Sequence, residues 1–388
     1  MMKKSMMKRL AVMSMAAVVA VGMVGCGSEK KSDAPAGDKT AKFALVSATT
    51  GGAAAYGEAI KNGVDLAVEE INKKAEAEKG YKINLVFEDT KGEKNEAINA
   101  MKKVIHKDNV LAVAGPMLSG EMFAAGPVAV QGKVVSLGTS TTAEGITDIG
   151  EYVFRNAVPE SIAVDAAIRK SHETLGFKTA AIMYSNNNDQ MVSVHKTAEK
   201  ALKDLGVQIV DVETFADKDT DFSAQLTKVQ AAKPDIIVVA SLYQEGALIM
   251  KKMRELGMTQ KVVGSNGFNS PAFITSAGAA ADGVIVGTPW FPNKDDQKVK
   301  DFRKAYTAKY GKEPDQFAAQ AYDGMYLLYE ALKASGSTTD REKFRSALKN
   351  IKDFMGVTGK FSFDEKRNPK MDVQVLEVQG GKFDALRK

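Results

Sequence analysis

The residues best placed to do chemistry are hydroxyls at the ends of short apolar runs. Ser119 follows the run Val110–Ala114 and stands just before a helical stretch starting near Glu121. Ser140, Thr141 and Thr142 follow the next run, Val134–Leu137. If both runs are neighbouring parallel strands, these hydroxyls and the adjoining backbone groups can converge on one point. A helix N-terminus beside them adds unpaired N–H groups and a positive dipole end, so the chemistry on offer is anion binding. The same residue types cap helices and turns routinely, and spacing leaves both readings open.

No catalytic or metal motif competes with this reading. Asp217, Asp219 and Asp221 copy the first acidic positions of a calcium loop, but Phe222 replaces its glycine and Lys228 its final glutamate. The chain carries no P-loop, HExxH, GxSxG elbow or GxGxxG after a strand. His106, His172 and His195 fall on polar faces of expected helices. No cofactor is implied, no metal site is expected, and the chain does not read as an enzyme.

The lone cysteine points elsewhere. Lys3, Lys4, Lys8 and Arg9 precede an apolar run from Leu10 to Gly25 that is broken only by Ser14. A basic flank, a short apolar core and small residues before a cut describe a secretory signal peptide. The run is shorter than the roughly 20 residues that a spanning helix needs. Met23-Val24-Gly25-Cys26 resembles the lipobox of bacterial lipoproteins, which implies a signal peptide over residues 1–25 and lipidation of Cys26. Cys26 is the only cysteine in 388 residues, so the rest of the chain has neither a disulfide framework nor a thiol nucleophile. Removing residues 1–25 takes away four positive charges and lowers the formal net charge from +5 to +1. A nearly neutral body gives no reason to expect a nucleic-acid partner. Residues 26–40 form the lipid site and a small, polar tether that spans about 20 Å as a random coil.

The elements that must position the hydroxyls follow a strand–helix alternation. Phe43–Ser47 is a continuous apolar run of the kind buried on both faces of a parallel sheet. A helix with Ile60, Val64, Ala67, Val68 and Ile71 on one stripe comes next. Further strands are expected at Ile83–Phe87, Val110–Ala114 and Val134–Leu137. After Tyr152–Asn156 a second series has strands at Ala180–Tyr184, Gln208–Phe215, Asp235–Ser241 and Lys261–Ser265, separated by helices. Helices near 296–310, 317–334 and 341–350 and strands at 359–363 and 371–378 complete the chain. The pattern predicts an α/β fold of two doubly wound, parallel-sheet lobes with links near 155–158, 286–290 and 355–366. The first lobe takes residues 41–156 plus 289–355, and the second takes 157–288 plus 356–388. Ligands of such sheets bind beyond the carboxyl ends of the strands, here a cleft between lobes able to hinge shut.

Several motifs, in order, carry a resemblance to a known family. They are Phe43–Gly51 with Tyr56-Gly57, Gly115-Pro116 with Ser119-Gly120, Gly138–Thr142, Tyr152–Arg155, Asp221–Ser223, and Gln320–Gly324 with Glu330–Leu332. Over residues 41–380 the chain resembles branched-chain amino-acid-binding proteins of ABC importers. The resemblance implies a type I periplasmic-binding fold with three crossovers, a monomer, an amino-acid ligand and a membrane permease as partner. It also implies attachment to the membrane through the lipid alone, on the outer side of the cytoplasmic membrane or in the periplasm. A binder of an amide, aromatic acid or short peptide on the same fold, or a sensor, is the alternative.

In similar proteins the positions of Ser119 and Thr142 hold the ligand carboxylate, while Ser140 offers a carbonyl to the ammonium. Tyr56 and Phe317 fall where the family places pocket aromatics, and Tyr243 and Trp290 are further aromatic candidates. Asn266 stands where relatives often carry an acid for the ammonium, and it supplies no charge. Asn186–Gln190 lacks the Tyr-Gly pair common there, and Leu242 replaces another common tyrosine. Asp189, Glu245 and Glu121 are the acids weighed for the missing charge, each also readable as a solvated surface group.

Overall fold

The computed structural model describes residues 39–386. The expected signal peptide, Cys26 and nearly all of the expected tether lie outside the described residues. Along the chain, β1 (Thr40–Ser47), α1 (Ala54–Glu78), β2 (Lys82–Asp89), α2 (Lys94–Lys102), β3 (Ala112–Ala114), α3 (Ser119–Gln131), β4 (Val135–Gly138) and β5 (Val153–Arg155) alternate. They build a five-stranded parallel sheet in the order β2-β1-β3-β4-β5. A second alternation follows: α4 (Glu160–Leu175), β6 (Thr179–Ser185), α5 (Asp189–Asp204), β7 (Gln208–Phe215), α6 (Ser223–Ala232), β8 (Ile236–Ala240), α7 (Tyr243–Glu255), β9 (Lys261–Gly264), α8 (Pro271–Ala277) and β10 (Val284–Thr288). The chain then returns to the first sheet through α9 (Gln297–Tyr310), α10 (Gln316–Ser335) and α11 (Arg341–Lys349). A small antiparallel sheet of β11 (Phe354–Gly356), β12 (Gly359–Phe363) and β13 (Pro369–Lys370) comes next. Last, β14 (Gln374–Gln379) and β15 (Lys382–Ala385) close the second sheet, ordered β15-β14-β10-β9-β8-β6-β7, with β14 antiparallel to β10.

Side-chain alternation explains why these strands read as unbroken apolar runs. On β1, Phe43 and Leu45 face the core shared with α1, α10 and α11, while Ala44 and Val46 face that of α2 and α3. On β8, Ile237 and Val239 face α7 and α8, while Ile236 and Val238 face α4 and α5. Both faces of each sheet are therefore covered, as a parallel sheet requires. Helices α1 and α10 meet at Gly63, where a Cβ atom would lie 2.2 Å from the carbonyl oxygen of Ala318. Any side chain there would push the two helices apart, and with them Tyr56 and Phe317.

The structure departs from the expected organisation at two links. Residues 286–288, read as part of a crossing, belong to β10, a strand buried along its whole length beside β9. The crossing follows directly, from Pro289. Residues 356–370, expected with the second sheet, pack on the first: Val357, Phe361 and Phe363 lie in its core, and Phe363 meets Phe154 edge-on at 5.3 Å. Asp323 of α10 also accepts from the Val357 and Thr358 backbone N–H groups, at 2.8 Å each.

Candidate functional site

The hydroxyl cluster assembles at the carboxyl ends of β3 and β4, which pair in parallel. Ser119 is the first residue of α3 and is buried. Its Oγ accepts from the backbone N–H groups of Thr142 (3.1 Å) and Ala143 (3.2 Å), so its own proton stays available to donate. Ser140 Oγ donates to the carbonyl of Met117 at 2.7 Å. Buried Arg155 clamps the loop from beneath, its Nη1 donating to the carbonyls of Thr141 (3.2 Å) and Ala143 (2.6 Å). Burial lowers the Arg155 pKa to about 10, which still leaves it charged at neutral pH. The Thr141 side chain packs over Gly138, where a Cβ would meet its Oγ1 at 2.0 Å, and Oγ1 has no hydrogen-bond partner.

The acidic side chain in contact with this cluster is Glu160, a residue the sequence reading did not single out. It is the first residue of α4 and is 0% exposed. Its Oε1 accepts from Gln190 Nε2 (2.8 Å), Thr142 Oγ1 (3.2 Å) and the backbone N–H of Asn266 (3.2 Å). One carboxyl group thus joins the Thr142 hydroxyl to two segments of the second lobe. Oε2 is buried without a partner. Burial pushes the carboxyl pKa up, against the opposing pull of its three donors and Arg155. An acid at the start of a helix suits the helix dipole, so the sequence carried no signal that set Glu160 apart.

The three acids weighed from sequence do other work. Asp189 is exposed and pairs with Lys94 at 2.8 Å. Glu121 is buried rather than solvated and accepts from the Leu118 backbone N–H at 3.0 Å, capping α3. Glu245 is also buried and accepts from the Lys218 N–H at 2.9 Å. Asp217, Asp219 and Asp221 serve as turn and cap acceptors, for Ser185 Oγ, Ala216 N and Ser223 N respectively. His195, expected on a polar face, is half-buried and stacks on Tyr184 at 4.2 Å.

Tyr56, Met117, Leu118, Ser140, Gln190, Leu242, Asn266, Gly267 and Phe317 line a cavity of about 10 Å³ between the two sheets. Of the ligand contacts expected from sequence, Tyr56, Ser140, Asn266 and Phe317 line it. Ser119 and Thr142 do not line it; Thr142 connects through Glu160 to Gln190 and Asn266, which do, and Ser119 is tied to the Thr142 backbone. Trp290 packs instead against Phe302, 5.7 Å between ring centres, in the first core. A cavity this size has room for about one water molecule, so admitting a solute requires the walls to part. The Tyr56 ring lies 4.5 Å from Phe317 and 5.2 Å from Tyr243. Burial drives the Tyr56 pKa well above the ordinary value, which keeps its hydroxyl a donor.

Asn266 sits in a further amide network. Trp290 N donates to Thr288 Oγ1 at 3.0 Å, and Thr288 Oγ1 donates to Gln316 Oε1 at 2.7 Å. Asn269 Nδ2 donates to the same Gln316 oxygen at 2.6 Å, and Gln316 Nε2 donates to Asn266 Oδ1. Among the described residues, no group of His, Cys, Asp and Glu is arranged to hold a metal ion, and no helix is long and apolar enough to cross a membrane. The arrangement can hold a small molecule by shape, hydroxyls and one buried carboxyl group.

Comparison with known proteins agrees with this architecture. The profile of the periplasmic binding protein family matches residues 40–382. The Leu/Ile/Val-binding protein BraC3 of Rhizobium johnstonii is 28% identical over 337 residues, 86% of this chain and 89% of that protein. The leucine binding protein LivK of Thermotoga maritima superposes with a TM-score of 0.84 at 30% identity, covering 89% of this chain and 98% of that one. The branched-chain amino acid transporter substrate binding protein LivJ of Streptococcus pneumoniae, in complex with isoleucine, gives 0.83 at 32% identity with the same coverage. A solute binding protein of an ABC transporter from Rhodopseudomonas palustris, in complex with 3,4-dihydroxy benzoic acid, gives 0.81 at 25% identity over 89% and 95% of the two chains. With the family profile spanning both sheets, the chain belongs to the periplasmic binding protein family, with its likeness to substrate-binding proteins of branched-chain amino-acid ABC transporters.

Proposed function

We propose that the protein captures a free α-amino acid, branched-chain or similar, between its two lobes and delivers it to the permease of an ABC importer. The observation that carries this reading is Glu160, a fully buried carboxyl group with one oxygen unpartnered, bonded to Thr142, whose backbone N–H in turn meets Ser119. An amino acid has two opposite charges. Its carboxylate meets the Ser119 hydroxyl at the N-terminus of α3 and the Thr142 hydroxyl, whose proton turns from Glu160 to the ligand, and its ammonium takes that place on Glu160. A charge buried without a counter-charge is costly, and a ligand cation relieves that cost. A simple aromatic acid brings no such cation, so the benzoate-type ligand of the Rhodopseudomonas relative suits this site less well.

In this reading the protein is exported, held to the membrane by lipid on Cys26, and works as a monomer. Mass spectrometry of the small molecule released from denatured, purified protein tests the ligand class. Recovery of an α-amino acid supports the proposal; recovery of an acid without an amine overturns it.

A further inference from the structure

We propose that Arg155, buried beneath the loop 141–144, is the positioning residue of the anion seat. Through two peptide units of that loop it aims and polarises the N–H groups bonded to Ser119 and to Ser193 of the second lobe. The inference rests on the reading above that a ligand carboxylate meets Ser119, and it adds the residue that holds the seat from behind.

A peptide unit is planar, so a donor on its C=O fixes where its N–H points and strengthens that N–H as a donor. Three consecutive units of this loop are held in that way. Arg155 Nη1 donates to the Thr141 carbonyl at 3.2 Å, and the N–H of the same unit, that of Thr142, donates to Ser119 Oγ at 3.1 Å. The Glu160 backbone N–H donates to the Thr142 carbonyl at 2.9 Å, and the Ala143 N–H donates to Ser119 Oγ at 3.2 Å. Arg155 Nη1 donates again to the Ala143 carbonyl at 2.6 Å, and the Glu144 N–H donates to Ser193 Oγ on α5 at 3.1 Å. The guanidinium thus stands one peptide unit behind each serine.

Arg155 is 2% exposed, and its bonded partners are uncharged oxygens: the two carbonyls and Asn368 Oδ1, which accepts from Nε at 2.7 Å. The acids around it, Glu144, Asp364, Asp148 and Glu160, act on it without bonding it. Hydrogen bonds from a charged donor are stronger than neutral ones, so the two carbonyls carry part of that charge to the N–H groups beyond them. Ser119 Oγ, with two N–H groups already on it, has its proton to give. It lines a hollow of about 90 Å³ that shares Leu118 and Gln190 with the ligand cavity, so a carboxylate can reach it once the walls part.

Titration calorimetry of the purified protein tests this, with whichever of the twenty amino acids binds tightest and with its carboxamide. Arg155→Met should weaken the amino acid by about tenfold or more and the carboxamide by less than about threefold. A merely structural role would weaken both alike. The effects of Arg155→Met and Ser119→Ala should not multiply, because both act on one hydrogen-bond chain: the double variant should bind the amino acid within about threefold of the weaker single variant. Should Arg155→Met fail to fold, Asn368→Ala asks the same question by removing the acceptor that fixes Nε, and it should narrow the amino acid's advantage over the carboxamide by about threefold or more. Equal losses for acid and carboxamide, effects of Arg155 and Ser119 that multiply, or, in that second case, an unchanged advantage in Asn368→Ala overturn the inference while the amino-acid reading stands. If no amino acid binds, or if Ser119→Ala leaves its affinity unchanged, the carboxylate reading falls and this inference with it.

Discussion

The Tyr56 hydroxyl of α1 donates to the carbonyl of Gly267 at 2.8 Å, across 211 positions of sequence and across the gap between the two sheets. It also accepts from the backbone N–H of Tyr243 at 2.7 Å. Gly267 permits the approach: a Cβ there would lie 2.9 Å from the tyrosine oxygen and 2.7 Å from the Ser241 carbonyl. One hydroxyl thus satisfies two backbone groups of the second sheet when the cleft is shut.

Tyr56→Phe keeps the ring and removes both bonds. Leaving a buried N–H or C=O unpaired costs about 1–3 kcal/mol, so affinity should drop by roughly 5- to 150-fold. Solution scattering of the ligand-free variant should also show a larger radius of gyration than wild type. Unchanged affinity together with unchanged scattering would remove Tyr56 from the closing mechanism.

The charged rim of the cleft should matter far less. Lys94 pairs with Asp189 at 2.8 Å, and Lys218 with Glu93 at 3.4 Å, but all four side chains are substantially exposed. Exposed pairs contribute about 0–1 kcal/mol and are screened by salt. Lys94→Ala should therefore weaken binding by less than about fivefold in calorimetry. A larger loss would make the rim, rather than Tyr56, the main latch.

On the first sheet, Thr142→Val keeps the shape and removes the hydroxyl, and Ser119→Ala does the same at the head of α3. Losing a hydrogen bond to a charged group costs about 1.5–3 kcal/mol, which is roughly 10- to 150-fold in affinity. Calorimetry of both variants checks this. If neither weakens binding, the ligand carboxylate sits elsewhere.

The pH dependence of stability has a definite sign. Burial pushes Asp323 up to about 6 from 3.8, and Glu160 is raised in the same direction. A raised carboxyl contributes stability that is fully present below its unfolded pKa and is lost as pH rises through its folded pKa. His195 acts the other way, since burial lowers it from 6.5. Denaturation midpoints of the ligand-free protein should fall between about pH 4 and pH 7, and Asp323→Asn should flatten that slope. Parallel profiles for variant and wild type would contradict the assignment to Asp323.

Much of the scaffold was legible in the sequence because strands covered on both faces leave continuous apolar runs. Gln208–Phe215 and residues 359–363 have the bounds expected. Val284–Thr288 escaped because its last residues run into Thr288-Pro-Trp-Phe-Pro292, which resembles a link. Tyr56, Ser140, Asn266 and Phe317 came from family motifs, and the structure brings all four to one cavity. Glu160 was hidden because its environment is made by Thr142, Gln190 and Asn266, from three distant segments.

The central claim is that the site holds both charges of an amino acid. Calorimetry should compare one amino acid with its carboxamide and with the matching acid that lacks the amine, in wild type and in Glu160→Gln. The account predicts that wild type binds the amino acid at least about tenfold tighter than either analogue, that its affinity rises with pH as Glu160 ionises, and that Glu160→Gln loses both the preference for the amine and the pH dependence. Equal affinity for the amine-free acid in wild type, or an unaltered preference in Glu160→Gln, would contradict it.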